Sequence, residues 1–220
     1  MVSDIVQEAF AEWTKALGGR DARISIFDHI RDIPYAVIPE ISNPVDGPQG
    51  LLKGMKGSCT PKHFLLGRMF EMLQIPIKYV TYPFSWNAES VAYPPELRKL
   101  AEVVPVDYHL ACKARIENKW AVVDATWDRS LARVGFPINE SWDGVSDTKL
   151  AVESLDEIVH QSVQERVNFV QARKASWTPD DNARRSHFVD ALNKWLEDVR
   201  RNCCSLFRPY CSRMMLFVPV

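Results

Sequence analysis

The chain has 220 residues, of which 46% are hydrophobic, 10% aromatic and 25% charged, and this composition excludes disordered, collagen-like and membrane-spanning proteins. With 27 Lys and Arg against 28 Asp and Glu, the formal net charge is −1. Bulk charge therefore favours neither nucleic acid nor an anionic membrane as a partner. A chain of this length buries roughly 70% of its unfolded surface on folding, so one domain is expected.

The N-terminus and the cysteines predict a reduced, cytoplasmic protein. The first residues have neither the basic leader nor the apolar core of a secretory signal. The cysteines are odd in number and lack the spacing of a disulfide framework. They are Cys59, Cys112, Cys203, Cys204 and Cys211.

Two helices and an irregular arm are expected before the middle of the chain. Apolar residues recur at helical spacing over 6–17, with Ser3 as a candidate cap, and again over 26–33. The arm that follows should stay extended, because Pro39, Pro44 and Pro48 punctuate it. Residues 60–73 are apolar almost all round and predict a central, buried helix that ends at Gln74-Ile75-Pro76.

Strands and then further helices follow this central helix. Strands are expected over 77–84, 108–116 and 119–125, with a short helix opened by Pro94-Pro95 between the first two. After a loop of about 25 residues, helical spacing returns over 154–174 and over 178–201, the latter capped by Thr178. The order helices, strands, helices predicts an α+β fold.

Gly57-Ser58-Cys59 places a cysteine at the start of the predicted buried helix. A helix N-terminus carries about half a positive charge, which favours the thiolate over the thiol. The backbone N–H of Cys59 would also face a developing oxyanion. A buried, unreactive cysteine is the alternative interpretation of this segment.

The hairpin of strands 108–116 and 119–125 turns at Glu117-Asn118. If these two residues alone form the turn, residues whose numbers sum to 235 face each other, and Asp124 lies diagonally across from His109. A three-residue turn would instead pair Asp124 with Cys112 and send its side chain to the other face of the sheet. The shorter turn predicts contact between an imidazole and a carboxylate.

A thiolate, an imidazole and a carboxylate are the parts of nucleophilic acyl transfer, and here they occur in the order Cys59, His109, Asp124. With Gly57-Ser58-Cys59, Leu73-Gln74-Ile75-Pro76-Ile77 and the segment 120–126, the sequence resembles the transglutaminase-like superfamily of papain-like cysteine enzymes. The resemblance covers about residues 50–128. It implies a single domain in which a helix with an N-terminal cysteine packs on an antiparallel sheet. Helices and an arm at 1–49, helices at 151–201 and a tail at 202–220 would flank this core.

By this resemblance Cys59 would be the nucleophile, His109 the general acid and base, and Asp124 the residue that orients the imidazole. No cofactor and no metal would be required, and the substrate would be a peptide or protein. Known transglutaminases often have an aromatic residue after the cysteine, whereas this chain has Thr60 and no calcium-loop signature, so hydrolysis through a thioester is favoured. Transamidation and a non-catalytic binding module on the same fold stay open as alternatives.

Several other residues allow more than one interpretation. Cys59, His63, His109 and Cys112 are of zinc-ligand type, although His109 and Cys112 should point to opposite sides of a strand. Gln49 and Trp86 are candidates by residue type for a side-chain donor to the oxyanion, and neither is chosen.

Segment 136–144 would either cover the site or form a surface loop. The mixed charges of Glu165, Arg166, Arg173 and Lys174 predict a solvated helix face, and His29, His160 and His187 are expected to be solvated too. Trp120 and Trp127 are expected to be buried. Trp86 and Trp142 lie in predicted loops, where lining a substrate cleft is an alternative to packing in the core.

Overall fold

The computed structural model describes residues 4–154 and 156–206, with the backbone alone for residues 202–206. Over these residues the chain folds as the expected α+β arrangement. The elements in chain order are α1 (Ile5–Trp13), α2 (Gly19–Asp32), α3 (Gly47–Gly54), α4 (Cys59–Met72), β1 (Ile77–Phe84), α5 (Pro95–Val103), β2 (Asp107–Ile116), β3 (Lys119–Val123), β4 (Ile158–His160), α6 (Val163–Ala175) and α7 (Pro179–Leu206). The predicted cap Ser3, the side chains of Cys203 and Cys204, and the chain beyond Leu206 lie outside the described residues.

Helix α4 is the centre of the molecule, as its composition predicts. Eleven of its fourteen residues are buried, because it packs against α2 and α3 on one side and against β2 on the other. Its apolar side chains share one core with Leu110, Cys112 and Ala114 of β2. Each large aliphatic or aromatic side chain buried in this way contributes about 1.5–3 kcal/mol. This packing fixes the position of Cys59, the first residue of the helix.

The sheet has the strand order β3-β2-β1-β4, and every pairing in it is antiparallel. Glu117 and Asn118 form the two-residue turn between β2 and β3, and both have positive φ, at 49° and 66°. Cys112 therefore faces Val123, and Ile116 faces Lys119. The predicted register of the hairpin is confirmed.

A second apolar core lies between α5, α7 and the loops after β1 and β3. It contains Trp86, Trp127 and Phe136 together with the apolar face of α7. Helix α7 begins as predicted: Thr178 Oγ1 accepts a hydrogen bond from the N–H of Asp181, whose carboxylate accepts from the N–H of Thr178. Tyr35, Phe84 and Trp86 of this second core also line the candidate site.

Two predicted backbone segments are wrong. Pro48 does not keep the chain extended but stands in the first turn of α3, where its missing N–H costs nothing. The helix predicted over 154–174 begins only at Val163, capped by the Ser162 side chain. Before it, β4 pairs with β1, and it buries His160 against the hydroxyl of Thr81 instead of exposing the ring to solvent.

The aromatic predictions are confirmed in part. Trp127 is buried and donates to the carbonyl oxygen of Ala151 at 2.7 Å, but Trp120 is 39% exposed. Trp142 packs in the core against Phe27 and Phe70, so the alternative in which it lines a cleft does not hold. No helix among residues 4–154 and 156–206 is both long and apolar enough to cross a membrane.

Candidate active site

His109 and Asp124 are in direct contact. The Nε2 atom of His109 lies 2.8 Å from Asp124 Oδ2, and both side chains are buried. The second bond to this oxygen comes from the N–H of Ala151, while Oδ1 accepts from the N–H and the hydroxyl of Thr126. A carboxylate held by four donors has a fixed orientation, and it fixes the imidazole in turn.

The charge state of this pair follows from its surroundings. Burial alone raises the pKa of Asp124, but His109, His63 and the Thr126 hydroxyl lower it to about 2. Because the carboxylate is ionised and can only accept, Nε2 of His109 carries the proton that it donates. The other ring nitrogen, Nδ1, is then the one that exchanges a proton with a neighbouring thiol.

Cys59 provides that thiol. Burial raises its pKa, but the neighbouring imidazole of His109, the N–H of Leu110 and the charge of Arg166 together lower the pKa below its ordinary value. Burial likewise lowers the pKa of His109, whereas Asp124 and Cys59 raise it, and the net result is about 10. Both shifts have the sign of a thiolate–imidazolium pair. The structure thus brings the three residues singled out in the sequence into one cluster.

His63 is held as a neutral histidine beside this cluster. Its Nδ1 lies 2.8 Å from the carbonyl oxygen of Cys59, and its Nε2 lies 3.1 Å from the backbone nitrogen of Ala125. Nδ1–H therefore donates while Nε2 accepts, which leaves no free nitrogen for catalysis. Burial lowers the pKa of His63 to about 4, which agrees with the neutral ring. His63 connects α4 to the end of β3.

A pocket of about 220 Å³ opens above Cys59. It lies between the start of α4, the end of β1, the start of β2, and helices α6 and α7. Its apolar wall includes Tyr35, Val37, Phe84 and Trp86, and its polar wall includes Asp107, Arg166, Lys174 and Arg185. The pocket is smaller than the roughly 300–1,000 Å³ of sites for drug-sized ligands, so it suits a small acyl group.

The solvated face predicted for α6 is wrong at Arg166, which is 5% exposed, and Lys174 also lines the pocket. Lys174 and Arg185 both pair with the buried Asp107, at 3.1 Å and 2.9 Å. Burial lowers the pKa of Arg166, against the opposing effects of Cys59 and Asp107. The charge of Arg166 predicts a solvated side chain, but Arg166 lies on the face of α6 where Val163, Val167 and Val170 recur at helical spacing. Val163 and Val167 of this face pack against the core.

The positions of Trp86 and Gln49 distinguish these two candidates for the oxyanion donor. Trp86 lines the pocket beside Cys59, and its Nε1 atom is buried without a hydrogen-bond partner among the described residues. Gln49, on α3, does not line the pocket.

A second residue missed in the sequence is Asn139, in segment 136–144, whose side chain donates to the carbonyl oxygen of Asp124 at 3.1 Å. This segment anchors the backbone of the site.

The four residues of zinc-ligand type do not converge. Cys112 Sγ lies 3.5 Å from the carbonyl oxygen of His63, whereas His109 bonds Asp124. Within residues 4–154 and 156–206 no three His, Cys, Asp or Glu side chains are placed to hold a metal ion.

Comparison with known proteins finds only solved structures of low similarity. No protein-family model and no curated protein matches the chain. Among solved structures, one described as a TGase is 13% identical with a TM-score of 0.39, over 58% of this chain and 32% of that one. A "putative protease" from Parabacteroides distasonis is 19% identical with a TM-score of 0.36, over 56% of this chain and 23% of that one. A "putative cysteine protease" from Cytophaga hutchinsonii is 20% identical with a TM-score of 0.37, over 71% of this chain and 49% of that one.

The matched region spans between about a quarter and a half of those longer chains.

Proposed function

We propose that the protein is a cysteine hydrolase, a peptidase or amidase that cleaves an amide through a thioester on Cys59. The supporting observation is the thiol at the pocket, with its pKa lowered by an imidazole whose other nitrogen is bound to a buried carboxylate. Cys112 provides the contrast within the same chain, because burial among apolar groups raises the pKa of its thiol. A reactive cysteine needs neighbours that lower the pKa of its thiol, as Cys59 has, whereas an inert cysteine is buried among apolar groups, as Cys112 is.

In the first half of the reaction the Cys59 thiolate attacks the carbonyl carbon of the substrate. His109, protonated on Nδ1, gives that proton to the leaving nitrogen as the carbon–nitrogen bond breaks. In the second half His109 removes a proton from water, which attacks the thioester and releases the acid. Asp124 stays ionised throughout and holds the imidazole in the productive tautomer.

The negative oxygen that forms during each attack needs donors in fixed positions. The backbone N–H of Cys59 lies in the first turn of α4, where helical N–H groups lack intrahelical partners. We assign the second donor to Trp86, which lines the same pocket and whose buried Nε1 has no hydrogen-bond partner among the described residues. Removing one such donor costs a typical enzyme roughly 10²–10³ in rate.

Trapping the acyl-enzyme tests this proposal. The protein is incubated with p-nitrophenyl acetate, quenched in acid and analysed by peptide mass spectrometry. We expect the acetyl group on Cys59, a normal yield in Cys112→Ser, and a loss of at least a hundredfold in rate in His109→Ala. Acetylation spread equally over Cys59 and Cys112, or unaffected by His109→Ala, would refute the proposal. Added methylamine distinguishes the alternative activity, because a transamidase would release N-methylacetamide instead of acetate.

A further inference from the structure

The pocket above Cys59 is lined by more positive than negative charge. Arg166 and Lys174 of α6 and Arg185 of α7 face it, together with the single carboxylate of Asp107. Lys174 and Arg185 share that carboxylate. Arg166 has no acidic partner among the described residues.

The guanidinium of Arg166 is held next to the nucleophile. It is 5% exposed, and its Nη2 atom lies 3.4 Å from Oγ1 of Thr60, the residue that follows Cys59 on α4. Its Nε atom is buried and has no hydrogen-bond partner within residues 4–154 and 156–206. A buried cation with an unused donor is unfavourable by itself, because burial removes hydration that nothing replaces. Arg166 lines the pocket, so a ligand bound there would lie beside this guanidinium.

The balance of charge indicates what that ligand carries. Asp107 and the Cys59 thiolate offset two of the three cations, and His109 and Asp124 offset each other. One positive charge is left over in the pocket, and Arg166 is the cation there that has no acidic partner among the described residues. A planar guanidinium matches a carboxylate through two parallel N–H donors. A singly charged carboxylate would neutralise the pocket.

We infer that Arg166 forms a carboxylate-binding subsite beside Cys59, and that the acyl donor carries a carboxylate close to its scissile carbonyl. This inference rests on the proposed function and specifies its substrate class. The apolar wall of Tyr35, Phe84 and Trp86 would contact the remainder of the acyl group. Arg166 is assigned here as a specificity-determining residue.

Two alkylating reagents that differ only in charge test the subsite. Iodoacetate carries a carboxylate and iodoacetamide is its neutral counterpart, and in both reactions the thiolate displaces iodide. The measured quantity is the ratio of their rate constants at Cys59, since a ratio cancels any change in the amount of thiolate. We expect Arg166→Gln to lower the ratio about tenfold and Arg166→Lys, which keeps the charge, to lower it less.

Arg115→Gln is the matched control, because Arg115 is exposed and stands eight residues from Asp107 on β2, roughly 27 Å along the strand. It makes the same change in net charge and should leave the ratio within about twofold. An unchanged ratio in Arg166→Gln, or an equal fall in Arg115→Gln, would overturn the inference.

A second measurement uses the unaltered protein and so does not depend on the folding of a variant. N-acetylglycine and N-acetylglycinamide are compared as protectants of Cys59 against iodoacetamide. The subsite predicts protection by the acid at concentrations where the amide gives none, and equal protection would contradict it. If the acyl-enzyme forms but the iodoacetate-to-iodoacetamide rate ratio does not depend on Arg166, the subsite is refuted and the proposed hydrolase stands. If that rate ratio depends on Arg166 but no acyl-enzyme forms, the carboxylate-binding subsite stands and the proposed catalysis is refuted.

Discussion

Protonation of His63 should make the protein markedly less stable in mild acid. Both ring nitrogens are occupied, by the carbonyl oxygen of Cys59 and by the N–H of Ala125, so the folded state holds the neutral ring. Burial lowers the pKa of His63 to about 4 in the folded protein, against about 6.5 in an unfolded chain. Between these values the unfolded state binds a proton that the folded state does not, so stability falls as the pH falls.

The magnitude follows from the two pKa values. A difference of about 2.5 units corresponds to about 3 kcal/mol of unfolding free energy, lost between about pH 6.5 and pH 4. This is a large share of the roughly 5–15 kcal/mol that stabilises a typical domain. His63→Gln removes the titrating group at the cost of one hydrogen bond, about 1 kcal/mol near neutral pH. The variant should therefore be less stable than wild type near pH 7 and more stable near pH 4.

Urea unfolding of both proteins across this pH range measures the crossing. His187→Gln provides the control, because His187 is exposed on α7 and its replacement should leave the acid loss of stability in place. Curves for His63→Gln and wild type that run parallel from neutral pH to pH 4 would show that His63 is not held neutral, and would refute the reasoning.

Two further predictions concern the carboxylate and the loops. Asp124→Asn places an amide where His109 Nε2 and the Ala151 N–H both donate. The substitution should therefore slow acetylation of Cys59 by roughly a thousandfold and lower the unfolding free energy by about 1–3 kcal/mol. Acetylation at more than a tenth of the wild-type rate would contradict this prediction. Gly135→Ala should lower the unfolding free energy by more than about 2 kcal/mol, because φ is +90° and a Cβ would lie 1.8 Å from the Ser90 carbonyl oxygen. Gly54→Ala, in the open at the end of α3, should instead raise it by about 0.5–1 kcal/mol, and thermal unfolding that ranks the two variants alike would count against the assignment.

The contact between His109 and Asp124 could be anticipated because it depends on local rules. A two-residue turn at Glu117-Asn118 sets the register of β2 and β3, and register decides which side chains are neighbours. The buried helix after Cys59 could be anticipated for the same reason, since its composition leaves no polar face.

What the sequence did not reveal depends on contacts between distant segments. β4 has three residues and continues an apolar pattern that also fits a helix, so only its pairing with β1 distinguishes the two. Arg166 lies among charged neighbours on a helix, and its burial results from the packing of α6 over the start of α4. The choice of Trp86 over Gln49 likewise required the position of the loop after β1.

The backbone at Gln74, at the end of α4, adopts a left-handed conformation. Its φ is +60°, a region that glycine adopts without steric cost. A residue with a Cβ in the left-handed region costs about 1–2 kcal/mol. The fold accepts this cost because α4 is held in place by its core contacts.

The state of the Cys59 thiol is the most direct test of the account. Thiolate absorbance in the ultraviolet is recorded against pH as the difference between wild type and Cys59→Ser, in the presence and absence of the His109→Ala substitution. The account predicts a thiolate that forms below the ordinary cysteine pKa of about 8.5 in wild type, and only near or above that value in His109→Ala. Titration of Cys59 at 8.5 or higher with the imidazole intact would contradict it.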